Sequence, residues 1–170
     1  MNRRKILTYG HKLLREKALP VSVANGSVID MLDDMKTTMH SSAGIGLAGN
    51  QVGIMLRLIT LIHPDTRETL SLINPEVVDC GEETEQAEEG CLSVPDIFCK
   101  VERPRKVTVR ALTPSGNVLE LTGENLLARI LLHEIDHLNG VLFVDRLNPI
   151  RRLLVSNKLK KFSVAGEYYQ

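Results

Sequence analysis

The stretch His133-Glu134-Ile135-Asp136-His137 decides the reading of this chain. On a helix of about 3.6 residues per turn, positions 133 and 137 lie one above the other on one face, so both imidazoles can reach a single cation. Glu134 is turned about 100° from that line. It is badly placed as a third ligand of the same face and near enough to take a proton from water held on a metal. The spacing therefore separates ligand from base and points to a metal-dependent hydrolase. The plainer reading, one packed and one solvated histidine on an ordinary helix, stands beside it until the neighbouring sequence is considered.

Downstream, Leu138-Asn139-Gly140-Val141-Leu142-Phe143 has the glycine of the longer metzincin pattern but puts Phe143 where that pattern needs a third histidine. A third ligand must come from elsewhere. The candidate is Cys91, in Glu89-Gly90-Cys91-Leu92-Ser93, next to a glycine that permits close backbone approach and after an acidic run from Glu82 to Glu89. One thiolate and two imidazoles leave a fourth position open, which is the catalytic rather than the structural arrangement. Cys80 and Cys99 form no C-x2-C pair with Cys91, and a lone cysteine is also read as a small buried hydrophobe.

A third stretch, Gly44-Ile45-Gly46-Leu47-Ala48-Gly49-Asn50-Gln51-Val52-Gly53, contains G-x-G-x-x-G. That fingerprint needs a strand before it and a helix after it, whereas here a helical pattern precedes and strand-like residues follow. Dinucleotide binding is rejected. What remains is a loop with backbone donors and one amide, Gln51, suited to hold an oxyanion or to line a groove, or else a plain helix stop and turn.

The 170 residues suit one domain spanning 1–170, 43% of them are hydrophobic, and the formal net charge is zero, so no strongly charged partner such as DNA is implied. The start lacks an apolar signal region and no apolar run reaches membrane-spanning length, so a cytoplasmic chain with reduced thiols is expected. Ser27 with Asp30 resembles a capping pair for a helix carrying Val28, Leu32, Met35 and Met39 up to Gly44. Segments 57–63, 70–74, 106–113 and 118–122 read as strands. Thr122 is expected to cap a helix over 124–139, stopped by Gly140, that bears the two histidines. The fold expected is a single α+β domain of mostly antiparallel strands around this helix. At the end, 148–162 combines Ile150, Leu153, Leu154 and Leu159 with Arg151, Arg152, Lys158, Lys160 and Lys161 and no acidic residue: a basic amphipathic C-terminal helix, most simply a solvated one packing by one face.

Together, GIGLAGNQVG, EGCLSVP and HEIDHLNG, in this order and at these separations, resemble the three signature motifs of the peptide deformylases, and the likeness extends from Ile6–Val21 to Arg103-Pro104 and the strand after it. Gly49 stands where the family usually has alanine and Leu132 where glutamine is frequent; neither removes a chemical group, but Gly49 is expected to loosen the loop. The resemblance implies removal of the formyl group from N-formylmethionyl nascent peptides. Cys91, His133 and His137 would be the metal ligands, Glu134 the base, and Gln51 with the Leu92 backbone N–H the oxyanion donors. Fe²⁺ is the metal the family favours, and Zn²⁺ suits the same ligands. Leu126, Arg129 and Ile130 lie seven, four and three residues before His133 on the metal face. With Ile45 they would line a methionine pocket, Arg129 giving its stem and keeping its charge in water, while Gly46 and Gly90 would meet the peptide backbone. In some family members the terminal helix docks on the ribosome, so ribosome contact is an expectation here also.

Two other classes fit parts of the pattern. An HExxH peptidase would need a downstream Glu or His as third ligand, and Glu167 is the only glutamate after the motif. A non-catalytic, metal-stabilised ribosome-binding module would close its site with a fourth ligand.

Overall fold

Hydrophobic alternation along five strands gives this chain a sheet with two covered faces. The computed structural model describes residues 2–165 and 168–169. In chain order they form β1 (Ile6–Leu7), α1 (Gly26–Ser41), β2 (Gly46–Ala48), β3 (Leu58–Ile62), β4 (Thr69–Cys80), β5 (Thr84–Cys91), β6 (Val94–Pro104), β7 (Lys106–Leu112), β8 (Val118–Glu124), α2 (Leu126–Leu138), α3 (Pro149–Ala165) and β9 (Tyr168–Tyr169). The sheet runs β2-β3-β4-β7-β8, antiparallel throughout; β5 and β6 make a separate hairpin, and β1 pairs with β9.

Because side chains alternate along a strand, β3 sends Ile59 and Leu61 to one face and Leu58 and Ile62 to the other. The first face, with Val107, Val109 and Ala111 of β7, packs on Leu127, Ala128, Leu131, Ile135 and Leu138 of α2. The second packs on Val28, Leu32, Met35 and Met39 of α1. A third cluster joins Val94, Ile97 and Val101 of β6 to Phe143, Leu147 and Leu159. The result is a single α+β domain in which α2 is enclosed between sheet and hairpin, as the sequence leads one to expect.

Boundaries differ from expectation for local reasons. Asn25, not the Ser27–Asp30 pair, caps α1, its Oδ1 accepting from Val28 N at 3.2 Å, and the helix ends at Ser41 rather than Gly44. Thr122 lies inside β8, its hydroxyl 3.0 Å from that of Thr108, and α2 starts after Asn125, whose φ is +50°. The break read at residue 74 is a bulge: Asn74 takes φ +52°, bonds both backbone groups of Val21 through its amide, and β4 runs on to Cys80. Gly140 does stop α2, at φ +74°, with Gly140 N donating to His137 O and Val141 N to Asp136 O, each at 2.9 Å.

In α3 the packing face is Val155, Leu159 and Phe162, whereas Ile150, Leu153 and Leu154, expected on the apolar face, are exposed. Gly49 is not a loose point. It is buried in a single 3-10 turn, and a Cβ there would lie 2.7 Å from the carbonyl oxygens of both Ile54 and Leu56. Among the described residues no helix is long and apolar enough to cross a membrane. Glu167 lies outside the described residues.

Candidate metal centre and active-site cleft

Two elements far apart in sequence converge on one point. Helix periodicity stacks His133 and His137 with ring centroids 5.0 Å apart, and the end of β5 delivers Cys91, whose Sγ is 3.2 Å from His137 Nε2. The three donor atoms lie within 4.8 Å of one another. A thiolate and two imidazoles in that space suit a divalent transition metal. Phe143, in the position a metzincin would give to a histidine, instead stacks on the His133 ring at 6.1 Å.

Gln51 approaches from the short turn after β2. Its Oε1 accepts from Ala48 N at 2.7 Å, so its Nε2 faces Cys91 Sγ at 3.6 Å and Ser93 Oγ at 3.2 Å. The orientation of the amide is therefore set by the backbone behind it. Glu134 is buried, and its Oε2 has no partner among the described residues. Its carboxylate sits against the Cα of Gly46, where a Cβ would overlap it and force the Glu134 side chain to move. Burial pushes the Glu134 carboxyl up to about 7, although the neighbouring His133 pulls the other way.

Behind His133 lies a buried ionic chain. His133 Nδ1 is 3.0 Å from Glu89 Oε2. Glu89 also accepts from Arg103 at 2.9 and 3.0 Å and from Arg129 Nη1 at 2.7 Å. Arg103 Nη1 continues to Asp136 Oδ2 at 2.5 Å, and Asp136 is met in turn by Arg146 at 2.5 and 3.1 Å. Burial opposes ionisation of Glu89, but hydrogen bonds from His133 and Arg103 and the Arg103 charge outweigh it and hold the carboxyl well below its usual range. Arg103 is likewise disfavoured by burial and raised overall by Glu89 and Asp136. His137 is lowered by burial and by the charges of His133 and Arg103; His133, despite burial, is raised by its contacts with Cys91 and Glu89.

Cys91, His133 and Glu134 open onto a cleft of about 510 Å³. Ile45, Gly46, Gln51, Gly90, Leu92, Leu126, Arg129 and Ile130 line it too, whereas His137, the remaining residue singled out from sequence, does not. A Cβ on Gly90 would come within 2.5 Å of the Phe98 ring, an exposed side chain that would have to turn aside.

The polypeptide deformylase family model matches residues 3–153. The chain belongs to the polypeptide deformylase family. It is 54% identical to a peptide deformylase of Caldanaerobacter subterraneus subsp. tengcongensis, over 84% of this chain and 88% of that protein. The crystal structure of a peptide deformylase from Legionella pneumophila superposes with a TM-score of 0.87 at 45% identity, covering 94% of this chain and 95% of that one. A Met-Ala-Ser-bound class I type b peptide deformylase from Acinetobacter baumannii superposes at 0.81 and 35% identity, over 85% of this chain and 98% of that one. The family function, removal of the formyl group from formylmethionyl nascent peptides, is that of this enzyme.

Within this deformylase, one expectation is corrected. The Arg129 head does not stay in water: the side chain is 8% exposed and its guanidinium is buried on Glu89 and hairpin carbonyls. Asp136 is also buried, between Arg103 and Arg146. Sequence reasoning missed Glu89, Arg103 and Ser93 as parts of the site. Glu89 is hidden in an acidic run, and only its place two residues before Cys91 marks it.

Proposed function

We propose that Cys91, His133 and His137 hold one divalent ion, that Glu134 moves the protons, and that Gln51 and the Leu92 backbone N–H receive the oxyanion. The observation that carries this is three donor atoms within 4.8 Å beside a buried carboxylate whose Oε2 has no partner among the described residues. An ion so held supplies a Lewis acid that acidifies water and polarises the formyl carbonyl.

The chain's own groups do the rest. Glu134 takes the proton of the attacking water as its oxygen bonds to the formyl carbon, and the carbonyl electron pair moves onto oxygen. Gln51 Nε2, already turned toward this point, and the Leu92 N–H stabilise the oxyanion; one such donor is typically worth roughly 10²–10³ in turnover. Collapse breaks the C–N bond, Glu134 returns its proton to the leaving nitrogen, and formate and a free methionyl amino group depart.

Ile45, Leu126, Ile130 and the Arg129 stem form the wall for the methionine side chain, an unbranched thioether that fits an irregular apolar slot. The peptide beyond it runs along β2, an edge strand of the sheet, with backbone contacts at Gly46 and Gly90. The Acinetobacter relative, which binds Met-Ala-Ser, is consistent with a peptide of that length.

Fe²⁺ is the metal in the cell, with Zn²⁺ an adequate substitute in purified protein. The whole of 1–170 acts as one catalytic domain in the cytoplasm. The exposed Arg152, Lys158, Lys160 and Lys161 of α3 give it a basic surface for the ribosome, tested by sedimentation at graded salt against a chain ending at Pro149. The activity test is formate release from N-formyl-Met-Ala-Ser by anaerobic, Fe²⁺-loaded protein, with acetyl-Met-Ala-Ser as control. Release from the formyl peptide alone is expected. Cleavage of internal peptide bonds would instead make it a peptidase, and no release with metal bound would make it a binding module.

A further inference from the structure

Helix α2 carries two of the donors and the hairpin carries the third, so the metal site exists only while these elements keep a fixed separation. Arg103 spans them from the hairpin side, to Asp136, and Arg129 from the helix side. Arg129 leaves α2 one turn before His133 and ends inside the hairpin. Its Nη1 donates to Glu89 Oε1 at 2.7 Å and to the Val101 carbonyl at 2.9 Å, and its Nη2 donates to the Glu85 carbonyl at 2.9 Å. Glu85 and Glu89 belong to β5 and Val101 to β6, so one planar group grips both strands of the hairpin that ends in Cys91.

The grip also reaches a ligand directly. With Oε1 of Glu89 held by Arg129 and Arg103, Oε2 is turned to His133 Nδ1 at 3.0 Å. A hydrogen bond at Nδ1 fixes the tautomer and ring orientation and leaves Nε2 as the ligating nitrogen. A rigid guanidinium fork suits this task, because it meets several acceptors at once in fixed directions, as an ammonium cannot. Burial makes the arrangement close to all-or-none, since a guanidinium or carboxylate left alone at this depth is strongly disfavoured.

We propose that Arg129 is a positioning residue for the metal site, acting through Glu89 and the hairpin backbone to hold Cys91 against His133 and His137. This rests on the metal reading above, and the two can fail separately. If wild-type protein binds neither Zn²⁺ nor Co²⁺ stoichiometrically, or its Co²⁺ absorption lacks a thiolate band, the metal reading itself fails. With that baseline in place, the variants are Arg129→Met, which keeps a stem of similar length in the cleft wall and removes the fork, and Arg129→Lys, which keeps the charge.

Zn²⁺ affinity and release rate would be read by chelator competition. Arg129→Met is expected to bind Zn²⁺ about 10–100-fold more weakly, release it faster and shift the Co²⁺ spectrum. Arg129→Lys should recover only part of the loss. Glu89→Gln should give a similar loss, and adding Arg129→Met to it should cost less than the two changes separately, since both act through one contact. Wild-type Zn²⁺ affinity and Co²⁺ spectrum in Arg129→Met overturn the proposal, whatever the variant's KM or metal-free stability. If Arg129→Met does not fold, the Lys variant decides: wild-type affinity and spectrum there overturn the proposal as surely.

Discussion

Helix α2 is buried on nearly every side, with only Leu126 and Leu132 outside its buried set, while the facing strand β5 is exposed at half of its positions and fully buries only Glu89. The helix holds its two histidines by local geometry, because every turn is closed by its own backbone bonds. Cys91 has no such local guarantee. Its distance to His137 is a contact across 46 residues, secured by buried ion pairs that join α2 to the hairpin through Arg129 and Glu89, and through Arg103 and Asp136. One half of the site is thus built by periodicity and apolar burial, the other by long-range polar ties whose loss should be felt at a distance.

The largest expected effect tests the helix half. Glu134→Gln should lower formate release by roughly 10²–10⁴, the usual span for a general acid–base group, while metal content stays at the wild-type level. The helix frame does not depend on that carboxylate, so a variant that also lost its metal would break the comparison. Next comes the polar half. Asp136→Asn leaves the buried Arg103 with Glu89 as its remaining carboxylate partner. It should cost about 3 kcal/mol, the low end for a buried ion pair stripped of one member, in denaturant unfolding of the metal-free protein. A cost near zero would mean that the ties hold nothing.

That division also explains what could be read from the sequence. The HEIDH helix, its glycine stop and strands β3, β7 and β8 announce themselves through period and punctuation, and the ligand trio follows from residue chemistry once Cys91 is set beside the two histidines. The hairpin does not. Thr84-Glu85-Gln86-Ala87-Glu88-Glu89 reads as a solvated acidic run, and it becomes a strand because Arg103, Glu102 and Lys100 lie opposite Glu85, Gln86 and Glu88. Helical spacing correctly sets Arg129 on the metal face, but the destination of its guanidinium depends on an acceptor 40 residues away that no local pattern identifies. The missed caps have the same origin. Ser27, Asp30 and Thr122 are acceptable capping types, and only the chain path shows that Asn25 does the capping of α1 while Thr122 is inside a strand.

A smaller effect sharpens the local side. Gly140 ends α2 at φ +74°, and a Cβ there would overlap the Arg15 carbonyl. Gly140→Ala should therefore cost about 1–2 kcal/mol for the left-handed backbone alone. Thermal unfolding would read this as a lower midpoint, with Zn²⁺ affinity little changed because the histidines are set by turns of the helix before the stop.

The smallest effect is expected at α3, where apolar residues stand outside any core. Ile150, Leu153 and Leu154 are 74%, 71% and 77% exposed, because the face that meets the hairpin cluster is Val155, Leu159 and Phe162. Replacing each of the three by serine should change stability by no more than about 0.5 kcal/mol, as for surface positions generally, and should leave formate release from a free tripeptide untouched. In α2 the same residue types are the packing itself; in α3 these three bury almost nothing. A substantial loss of stability in the triple variant would show that α3 packs by a different face, and the contrast between a helix fixed by burial and one held by a single seam would fail there.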